Sequence, residues 1–272
     1  MPNQPIPPEA DVNVHSEVEI VSDDIPPPIP QLLKQGCTSW EFSANQVAAI
    51  ERLTRGQGAN SIWLEQRVGR ITASNIYNVY TRVCHMQEVA PKRLDCSSLL
   101  EKVCATHHDD LNHLPAFKYG RSMEAEARKK YYELHKKSHK NLEVKECGLF
   151  VVQQHAYIGA SPDALVTCAC CGEGLLEIKC PLTLSHLNPQ EQPPPYIDTV
   201  DGKFTVKERH PYHSQMIAQM GATGRQWCDF FVYSRQGSLT IRVPFDNCLW
   251  QRLVSSCSVF FNDHMKGHLL KQ

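Results

Sequence analysis

Asp163, Glu177 and Lys179 have the residue types and the spacing of a site for a divalent cation. In a β-strand, side chains two residues apart share a face, so Glu177 and Lys179 would lie about 6.6 Å apart. Asp163 follows the apolar run 156–160, and a hairpin would bring it alongside Glu177. Carboxylates this close repel unless a hard cation such as Mg²⁺ lies between them. A metal held in this way can activate water and stabilise charge on a phosphoryl group, which is the chemistry of a nuclease.

The same residues also have a simpler explanation. A Glu-x-Lys tripeptide is common, and it could be a cross-strand pair on the surface with an Asp in a nearby turn. Residues 175–181, however, place apolar side chains on both sides of the charged pair, as a buried strand does. A buried Glu without a partner would be costly. The setting therefore favours the metal site.

Three further polar side chains fall where they could join this site. The predicted helix 117–134 has an apolar stripe that includes Phe117, Tyr131 and Leu134 and should face inward. Glu124 is seven residues from both Phe117 and Tyr131, so it shares this stripe and would face inward with it. A metal would give it a partner, although a Lys at the edge of the stripe would do so equally well. Gln215 and Gln219 share one helix face, from which neutral amides could position water or phosphate, or simply be solvated.

A guanidinium and a hydroxyl occur close together at a predicted helix start. Arg67 follows Trp63 by four residues, and Ser74 begins the next helical segment. Such a pair could hold a phosphate, although a surface arginine and an ordinary N-cap serine are the alternatives. The stretch 118–145 adds nine Lys or Arg against four Glu, a solvated helix face that could also contact phosphate.

The cysteines point to a reducing compartment. Twelve occur in a chain with no signal-peptide pattern and no apolar run long enough to span a membrane, so we expect an intracellular protein with free thiols, in the nucleus or the cytoplasm depending on the host. Cys168 and Cys171 have the C-x-x-C spacing of a zinc site, with Cys170 between them. Zinc needs four ligands and no second close pair follows, so a hairpin tip with free thiols is favoured.

Composition divides the chain into two parts. Residues 1–30 contain eight of the 18 prolines, six acidic residues and no Lys or Arg, which predicts a disordered acidic segment; we place its end at residue 36. Because the whole chain carries −1 and residues 1–30 contribute six negative charges, the remainder carries +5. Residues 37–272 are expected to form one mildly basic domain.

The order of elements predicts the fold class. A capping box at Ser43 starts a helix, further helices are expected to begin near residues 61 and 72 and after Asp95, and another is expected to cover 117–134. Strands are predicted at 149–152, 156–160, 164–166 and 175–179, followed by a hairpin turning at Asp201-Gly202. A helix at 211–223, two strands and a final helix at 246–264 complete the pattern. Helices around a central mixed sheet indicate an α/β or α+β protein.

The ordered motifs resemble the YqaJ viral recombinase family, the lambda-exonuclease-like branch of the PD-(D/E)XK nucleases. The resemblance extends from about Trp63 to Ser234 and implies a restriction-endonuclease-like core. It is specific because five motifs occur in the family's order: W-x3-R-x-G-x-I-T-A-S, G-x3-E, S-P-D, E-I-K-C-P and Y-x2-Q.

The resemblance implies roles for the candidate residues. Asp163 and Glu177 would bind a catalytic Mg²⁺, for which Mn²⁺ could substitute, with the backbone carbonyl of Ile178 as a further ligand. Lys179 would orient or help deprotonate the attacking water. Glu124 would support a metal directly or through water.

Other motif positions would contact the substrate. Gln215 would line the catalytic site. Arg67 and Ser74 match the family's residues for a terminal 5′ phosphate, and Tyr212 from the Y-x2-Q motif would lie beside the same phosphates.

These observations lead us to expect a Mg²⁺-dependent deoxyribonuclease, a 5′→3′ exonuclease on double-stranded DNA ends that acts in recombination or repair. Its partners would be duplex ends and a single-strand annealing recombinase, and it could form a homo-oligomer. Three alternatives stay open: an endonuclease of the same fold, a catalytically silent DNA-binding module, and a zinc-dependent interaction protein built on 168–171.

Overall fold

The computed structural model describes residues 25–88, 95–105 and 113–271. Its α-helices are α1 (Ile29–Lys34), α2 (Ala44–Leu53), α3 (Ser61–Arg67), α4 (Ala73–Glu88), α5 (Ser97–Cys104), α6 (Pro115–His135), α7 (Pro211–Thr223), α8 (Asn247–Phe260) and α9 (Lys266–Leu269). Its strands are β1 (Ile71–Thr72), β2 (Glu143–Lys145), β3 (Phe150–Val152), β4 (His155–Ala160), β5 (Ala164–Cys168), β6 (Gly172–Lys179), β7 (Ile197–Val200), β8 (Lys203–Val206), β9 (Trp227–Ser234) and β10 (Gly237–Pro244).

A mixed five-stranded sheet forms the centre of the fold, in the order β10-β9-β6-β5-β2. Strands β6 and β9 are parallel, and α7 lies in the connection between them, whereas the other neighbours are antiparallel. All of β9 and most of β6 are buried, as expected for strands covered on both faces. The predicted central mixed sheet is therefore confirmed.

Two smaller sheets complete the strands. In the first, β4 pairs in parallel with β1 and antiparallel with β3. The second is the β7–β8 hairpin, whose turn residues Asp201 and Gly202 have φ angles of 50° and 73°. Positive φ at both central positions is what a two-residue hairpin turn requires, which is why the Asp-Gly pair predicts the turn correctly.

Local capping signals give accurate helix boundaries. At α2, the Gln46 backbone amide donates to the Ser43 hydroxyl at 3.2 Å and the Ser43 amide donates to the Gln46 side chain at 2.9 Å, which completes the predicted capping box. Helix α7 begins at the predicted Pro211 and ends before Gly224, which has a left-handed φ of 74°.

Only the middle part of the predicted apolar stripe of α6 packs against the sheet. Met123, Ala127 and Tyr131 are buried, but Phe117 and Leu134 are each 46 % exposed, so the prediction that both face inward is wrong. A helix of 21 residues is about 32 Å long, whereas strands of five to eight residues span about 16–27 Å. The ends of α6 therefore overhang the sheet.

The amino-terminal boundary also needs correction. The prediction that disorder extends to residue 36 is wrong for 25–36, because α1 places Ile29 and Leu33 in the main core and the Pro26 carbonyl accepts a 2.8 Å bond from the buried Gln66. Residues 1–24 lie outside the described part of the chain. At the other end, the predicted helix 246–264 is α8 continued by a π-helical turn over 261–265.

None of the helices within 25–88, 95–105 and 113–271 combines the length and the apolar character that a membrane crossing needs.

Candidate active site

The β5–β6 hairpin brings the two central carboxylates together. Ala164 pairs with Leu176, so Asp163, just before β5, lies beside the end of β6. The Ile178 backbone amide donates to Asp163 Oδ2 at 2.6 Å. Burial, and next the charge of Glu177, raise the pKa of the Asp163 carboxyl well above its ordinary value. The two acids thus repel each other across a short distance.

Glu177 is buried and surrounded by donors. It is 1 % exposed, and its Oε1 accepts bonds from Lys179 Nζ at 2.5 Å and from Gln215 Nε2 at 2.7 Å. Its Oε2 accepts a 2.7 Å bond from Gln219 Nε2. Gln215 and Gln219 come from successive turns of α7, which places both amides on the face that meets Glu177. Because both donate to Glu177, neither is a solvated surface group. The Oε1 atom of Gln219 is buried without a hydrogen-bond partner among the described residues.

Lys179 is held as a cation. Burial lowers the pKa of its ammonium, but the charges of Glu177 and Asp163 outweigh burial and raise that pKa above its usual value. The ammonium also lies 4.7 Å from the centre of the Tyr212 ring, whose face attracts cations. Tyr212 therefore contacts the cation of the site, and no phosphate contact follows from its position alone.

Glu124 borders the site from α6 instead of being buried in it. Its side chain is 40 % exposed and forms a 2.9 Å ion pair with Arg128, one turn further along the helix. Its charge nevertheless adds to the rise in the pKa of Asp163. The expectation that Glu124 faces the core with Phe117 and Tyr131 is wrong, because α6 turns this position toward a cleft.

This cleft, of about 1300 Å³, connects Asp163 and Glu124 with the helices that precede the sheet. Its walls come from the 57–59 turn and from α3, α4, α5 and α6. Its charged lining residues are Arg67, Glu101, Lys102, Arg121, Glu124, Arg128, Glu146 and Asp163, and Ser74 and Phe117 also line it. The structure therefore brings Arg67 and Ser74 into the same cleft as two of the candidate acids.

Arg67 lies in this cleft with unused hydrogen-bonding capacity. Its guanidinium carbon is 4.1 Å from the centre of the Trp63 ring, one helical turn earlier. Burial lowers the pKa of Arg67 to about 10, so it remains charged near neutral pH. Its Nε has no hydrogen-bond partner among the described residues. The Ser74 hydroxyl is 3.0 Å from that of Thr72, so it keeps bonding capacity too.

Two positioning residues were not identified from the sequence. Trp63 Nε1 donates to the Ser161 hydroxyl at 2.9 Å, and Gln57 Nε2 donates to the Pro162 carbonyl at 2.8 Å. Both bonds hold the turn that carries Asp163. The four-residue spacing of Trp63 and Arg67 could have suggested their stacking, but nothing local to Gln57 indicates a contact 105 residues away.

The donor set fits a hard divalent cation. An ionised carboxylate offers about four lone-pair positions, and the three donors on Glu177 leave one available. From the part of the chain that the structure describes, Asp163 accepts one hydrogen bond, on Oδ2. A cation shared by these two carboxylates would remove the repulsion that raises the pKa of Asp163.

Comparison with known proteins supports the fold and gives a family. The family model for the YqaJ-like viral recombinase domain matches residues 62–226. No curated protein matches the chain.

Solved structures are similar over most of the chain. An alkaline exonuclease from Laribacter hongkongensis is 27 % identical, covers 77 % of this chain and 94 % of its own, and has a TM-score of 0.55. Its complex with dAMP gives 26 % identity, the same coverage and a TM-score of 0.56. The shutoff and exonuclease protein of Kaposi's sarcoma-associated herpesvirus is 12 % identical, with 82 % of this chain and 73 % of that chain covered and a TM-score of 0.51, and shows the fold alone. The predicted PD-(D/E)XK fold class is confirmed.

Proposed function

The chain belongs to the YqaJ-like viral recombinase family, and on that premise we propose that it is a metal-dependent deoxyribonuclease, a 5′→3′ exonuclease on duplex ends. One observation carries the proposal. Asp163, Glu177 and Lys179 converge at the end of one hairpin, beside a cleft that leads to the partly buried cation Arg67. The crystallised relative named as an alkaline exonuclease, which was also solved in complex with dAMP, supports it.

Asp163 and Glu177 would hold Mg²⁺, with Mn²⁺ as a substitute, and Glu124 and the Ile178 carbonyl would complete or support the coordination. Once bound, the metal would supply Lewis acidity, which polarises water and stabilises charge on a scissile phosphate. The protein itself would orient the groups that hold the metal. Gln215 and Gln219 fix the orientation of the Glu177 carboxylate through 2.7 Å hydrogen bonds to its two oxygens.

Lys179 acts as a cation in this proposal. An ammonium whose pKa is raised by neighbouring carboxylates keeps its proton near neutral pH, so while Lys179 is paired with Glu177 we assign it the role of a cation and not that of a general base. Its chemistry is instead to donate hydrogen bonds toward the attacking water or the phosphate oxygens. Tyr212 holds the ammonium in place through its ring face.

Arg67 and Ser74 would hold a terminal 5′ phosphate. A guanidinium in a cleft, whose Nε has no partner within 25–88, 95–105 and 113–271, can form charge-assisted hydrogen bonds with phosphate, and a hydroxyl adds another donor. A binding site for a terminal 5′ phosphate has no evident use in an enzyme that cuts within a strand. The pair therefore favours an exonuclease over an endonuclease.

The test compares DNA substrates of the same sequence. Purified protein with Mg²⁺ is incubated with linear duplex carrying 5′ phosphates, with the same duplex dephosphorylated, and with closed circular duplex, and matched reactions contain EDTA. We expect mononucleotides from the phosphorylated linear duplex, slower release from the dephosphorylated one, and intact circles. The Asp163→Asn protein serves as the control for a contaminating nuclease.

Each other outcome supports a different function. Nicking of closed circles at a rate equal to that on linear duplex would establish an endonuclease. DNA binding without cleavage in either Mg²⁺ or Mn²⁺ would establish a silent binding module. If exonuclease activity is found, the single strand that it leaves would suit a strand-annealing recombinase in recombination or repair. Light scattering of the same sample tests the proposed homo-oligomer.

A further inference from the structure

The tip of the β5–β6 hairpin, at the opposite end from the candidate active site, gathers three thiols around one imidazole. The thiols belong to Cys168, Cys170 and Cys171, and the ring is that of His139, four residues after α6 ends. All four candidate ligand atoms lie within 4.8 Å of one another. Cys168 is buried, Cys171 and His139 are partly exposed, and Cys170 is exposed.

The distances within this cluster match those of a tetrahedral zinc site. Zn–S bonds of about 2.3 Å and Zn–N bonds of about 2.1 Å place tetrahedral ligands about 3.8 Å apart for two sulfurs and about 3.6 Å apart for sulfur and nitrogen. His139 Nδ1 lies 3.2, 3.5 and 3.6 Å from the sulfurs of Cys170, Cys168 and Cys171. The Cys170 sulfur is 3.4 Å from that of Cys168 and 3.8 Å from that of Cys171.

The same distances argue against disulfides. A disulfide joins sulfurs about 2.05 Å apart, and the three cysteines are free thiols in this structure. Free thiols at a hairpin tip do not require that three sulfurs surround one imidazole nitrogen. The arrangement is the one that a shared cation would produce.

Hydrogen bonds that involve the backbone of the hairpin tip also hold the cluster together. The Ala169 amide donates to the Lys140 carbonyl at 2.9 Å, which joins the hairpin tip to the segment that carries His139. The Cys171 amide donates to the Cys168 sulfur at 3.3 Å, and Trp227 Nε1 donates to the Cys171 carbonyl at 3.0 Å. Amide-to-sulfur bonds of this kind are the outer contacts that orient thiolate ligands.

We propose that His139, Cys168, Cys170 and Cys171 bind a structural Zn²⁺ ion. Three thiolates and one imidazole are a soft ligand set that suits zinc and is unsuited to Mg²⁺, which prefers oxygen. Four protein ligands leave no open position for a substrate, so the ion has a structural role. The sequence pattern gave three of these ligands, but the fourth comes from 29 residues upstream of Cys168, where no second cysteine pair marks it.

The zinc ion would tie together the two elements that frame the candidate active site. Helix α6 carries Glu124, and the β5–β6 hairpin carries Glu177 at its other end, with Asp163 just before it. A zinc ion bound by both His139 and the hairpin tip would fix the position of α6 relative to β5 and β6. The proposal does not depend on nuclease activity, since a silent DNA-binding protein of this fold would need the same zinc ion.

Metal content tests the proposal directly. The full chain is purified under reducing conditions without chelator, dialysed, and measured by inductively coupled plasma mass spectrometry. We expect about one zinc per chain in the wild type and in Asp163→Asn, and much less zinc in Cys170→Ser, which lacks one of the four ligands. Cys248→Ser, which alters another exposed cysteine, is the matched control and should keep its zinc.

Cobalt spectroscopy covers the case in which Cys170→Ser does not fold. Wild-type protein unfolded, stripped of metal and refolded with Co²⁺ should show thiolate-to-cobalt charge transfer and the intense visible bands of tetrahedral coordination. Either a reduced wild-type protein with neither zinc nor these bands, or equal zinc in Cys170→Ser and wild type, would overturn the proposal. A disulfide among the three cysteines in the freshly purified protein would also contradict it. Loss of zinc in Asp163→Asn as well would place the ion in the active site.

Discussion

Trp63 and Ser161 are joined by a 2.9 Å hydrogen bond from the indole to the hydroxyl, although 98 positions separate them in the chain. The ring of the same Trp63 also contacts the guanidinium of Arg67. Ser161 begins the turn that ends at Asp163. One aromatic side chain therefore connects the proposed phosphate-binding end of the cleft with the metal-binding end.

Ser161→Ala should slow exonuclease turnover by about two- to tenfold, because one neutral hydrogen bond contributes about 0.5–1.5 kcal/mol. The measurement is the initial rate on 5′-phosphorylated linear duplex. Ser255→Ala, at an exposed position of α8, is the control and should leave the rate unchanged. Equal rates for wild type and Ser161→Ala would show that the bond does not hold the catalytic turn.

Asp163→Asn should reduce cleavage by at least about a hundredfold, by analogy with the loss of one charge-stabilising group at an active site. DNA binding should survive or tighten, since one negative charge near the phosphates is removed. Glu173→Gln, an exposed change on the same strand as Glu177, is the matched control. Cleavage by Asp163→Asn within a few-fold of wild type would refute the metal assignment.

Lys179→Met, which keeps the length of the side chain and removes its charge, should lower the rate about 10²- to 10³-fold with little change in DNA affinity. Because the pKa of Lys179 is raised, its ammonium is protonated at every pH below its ordinary value of 10.5, and its contribution should be lost only above that value. The pH–rate profiles of wild type and variant should therefore be parallel from about pH 6 to 10. A wild-type rate that rose through neutral pH, with no such rise in the variant, would identify Lys179 as a base.

Arg67→Ala should erase the preference for a 5′ phosphate. A lost charged hydrogen bond is worth about 1.5–3 kcal/mol, or roughly ten- to a hundredfold in rate, and the preference in the wild type should shrink at high salt. Arg235→Ala, an exposed arginine that pairs with Glu126, is the control. A preference that persists in Arg67→Ala would remove this residue from the phosphate site.

Gly174→Ala should destabilise the fold by about 1–3 kcal/mol, because a Cβ at this position would lie 2.2 Å from the Trp227 ring. Gly267→Ala, in α9 with open space around it, should be neutral or raise stability by up to about 1 kcal/mol. Urea denaturation followed by circular dichroism measures both. A neutral Gly174→Ala would mean that β6 and β9 can separate locally without cost.

Sequence patterns correctly predicted the features that depend on residues close together in the chain. The capping box at Ser43, the turn at Asp201-Gly202 and the limits of α7 each depend on neighbouring residues. The placement of Asp163 beside the end of β6 also follows from a single hairpin. These features could be predicted because few residues, close in the chain, decide each one.

Features that depend on distant parts of the chain could not be predicted in the same way. Helical periodicity placed Phe117 and Leu134 on the buried stripe, but the length of the sheet below α6 decides where that stripe ends. The position of His139 beside Cys168 depends on the pairing of β2 with β5, which periodicity does not reveal. The contact of Gln57 with the Pro162 carbonyl needs α2, α3 and the sheet to be in place first.

The spacing of these contacts along the chain also has a consequence for the order of folding. The bond between the Ile178 amide and Asp163 closes a loop of 15 residues, whereas the Trp63–Ser161 bond closes one of 98. The entropy of loop closure makes the second contact about 1.7 kcal/mol more costly to form. We therefore expect the β5–β6 hairpin with Asp163 to form early and α3, which carries Arg67, to dock late. The Ile178 amide should then be protected from hydrogen exchange before the amides of α3 during refolding.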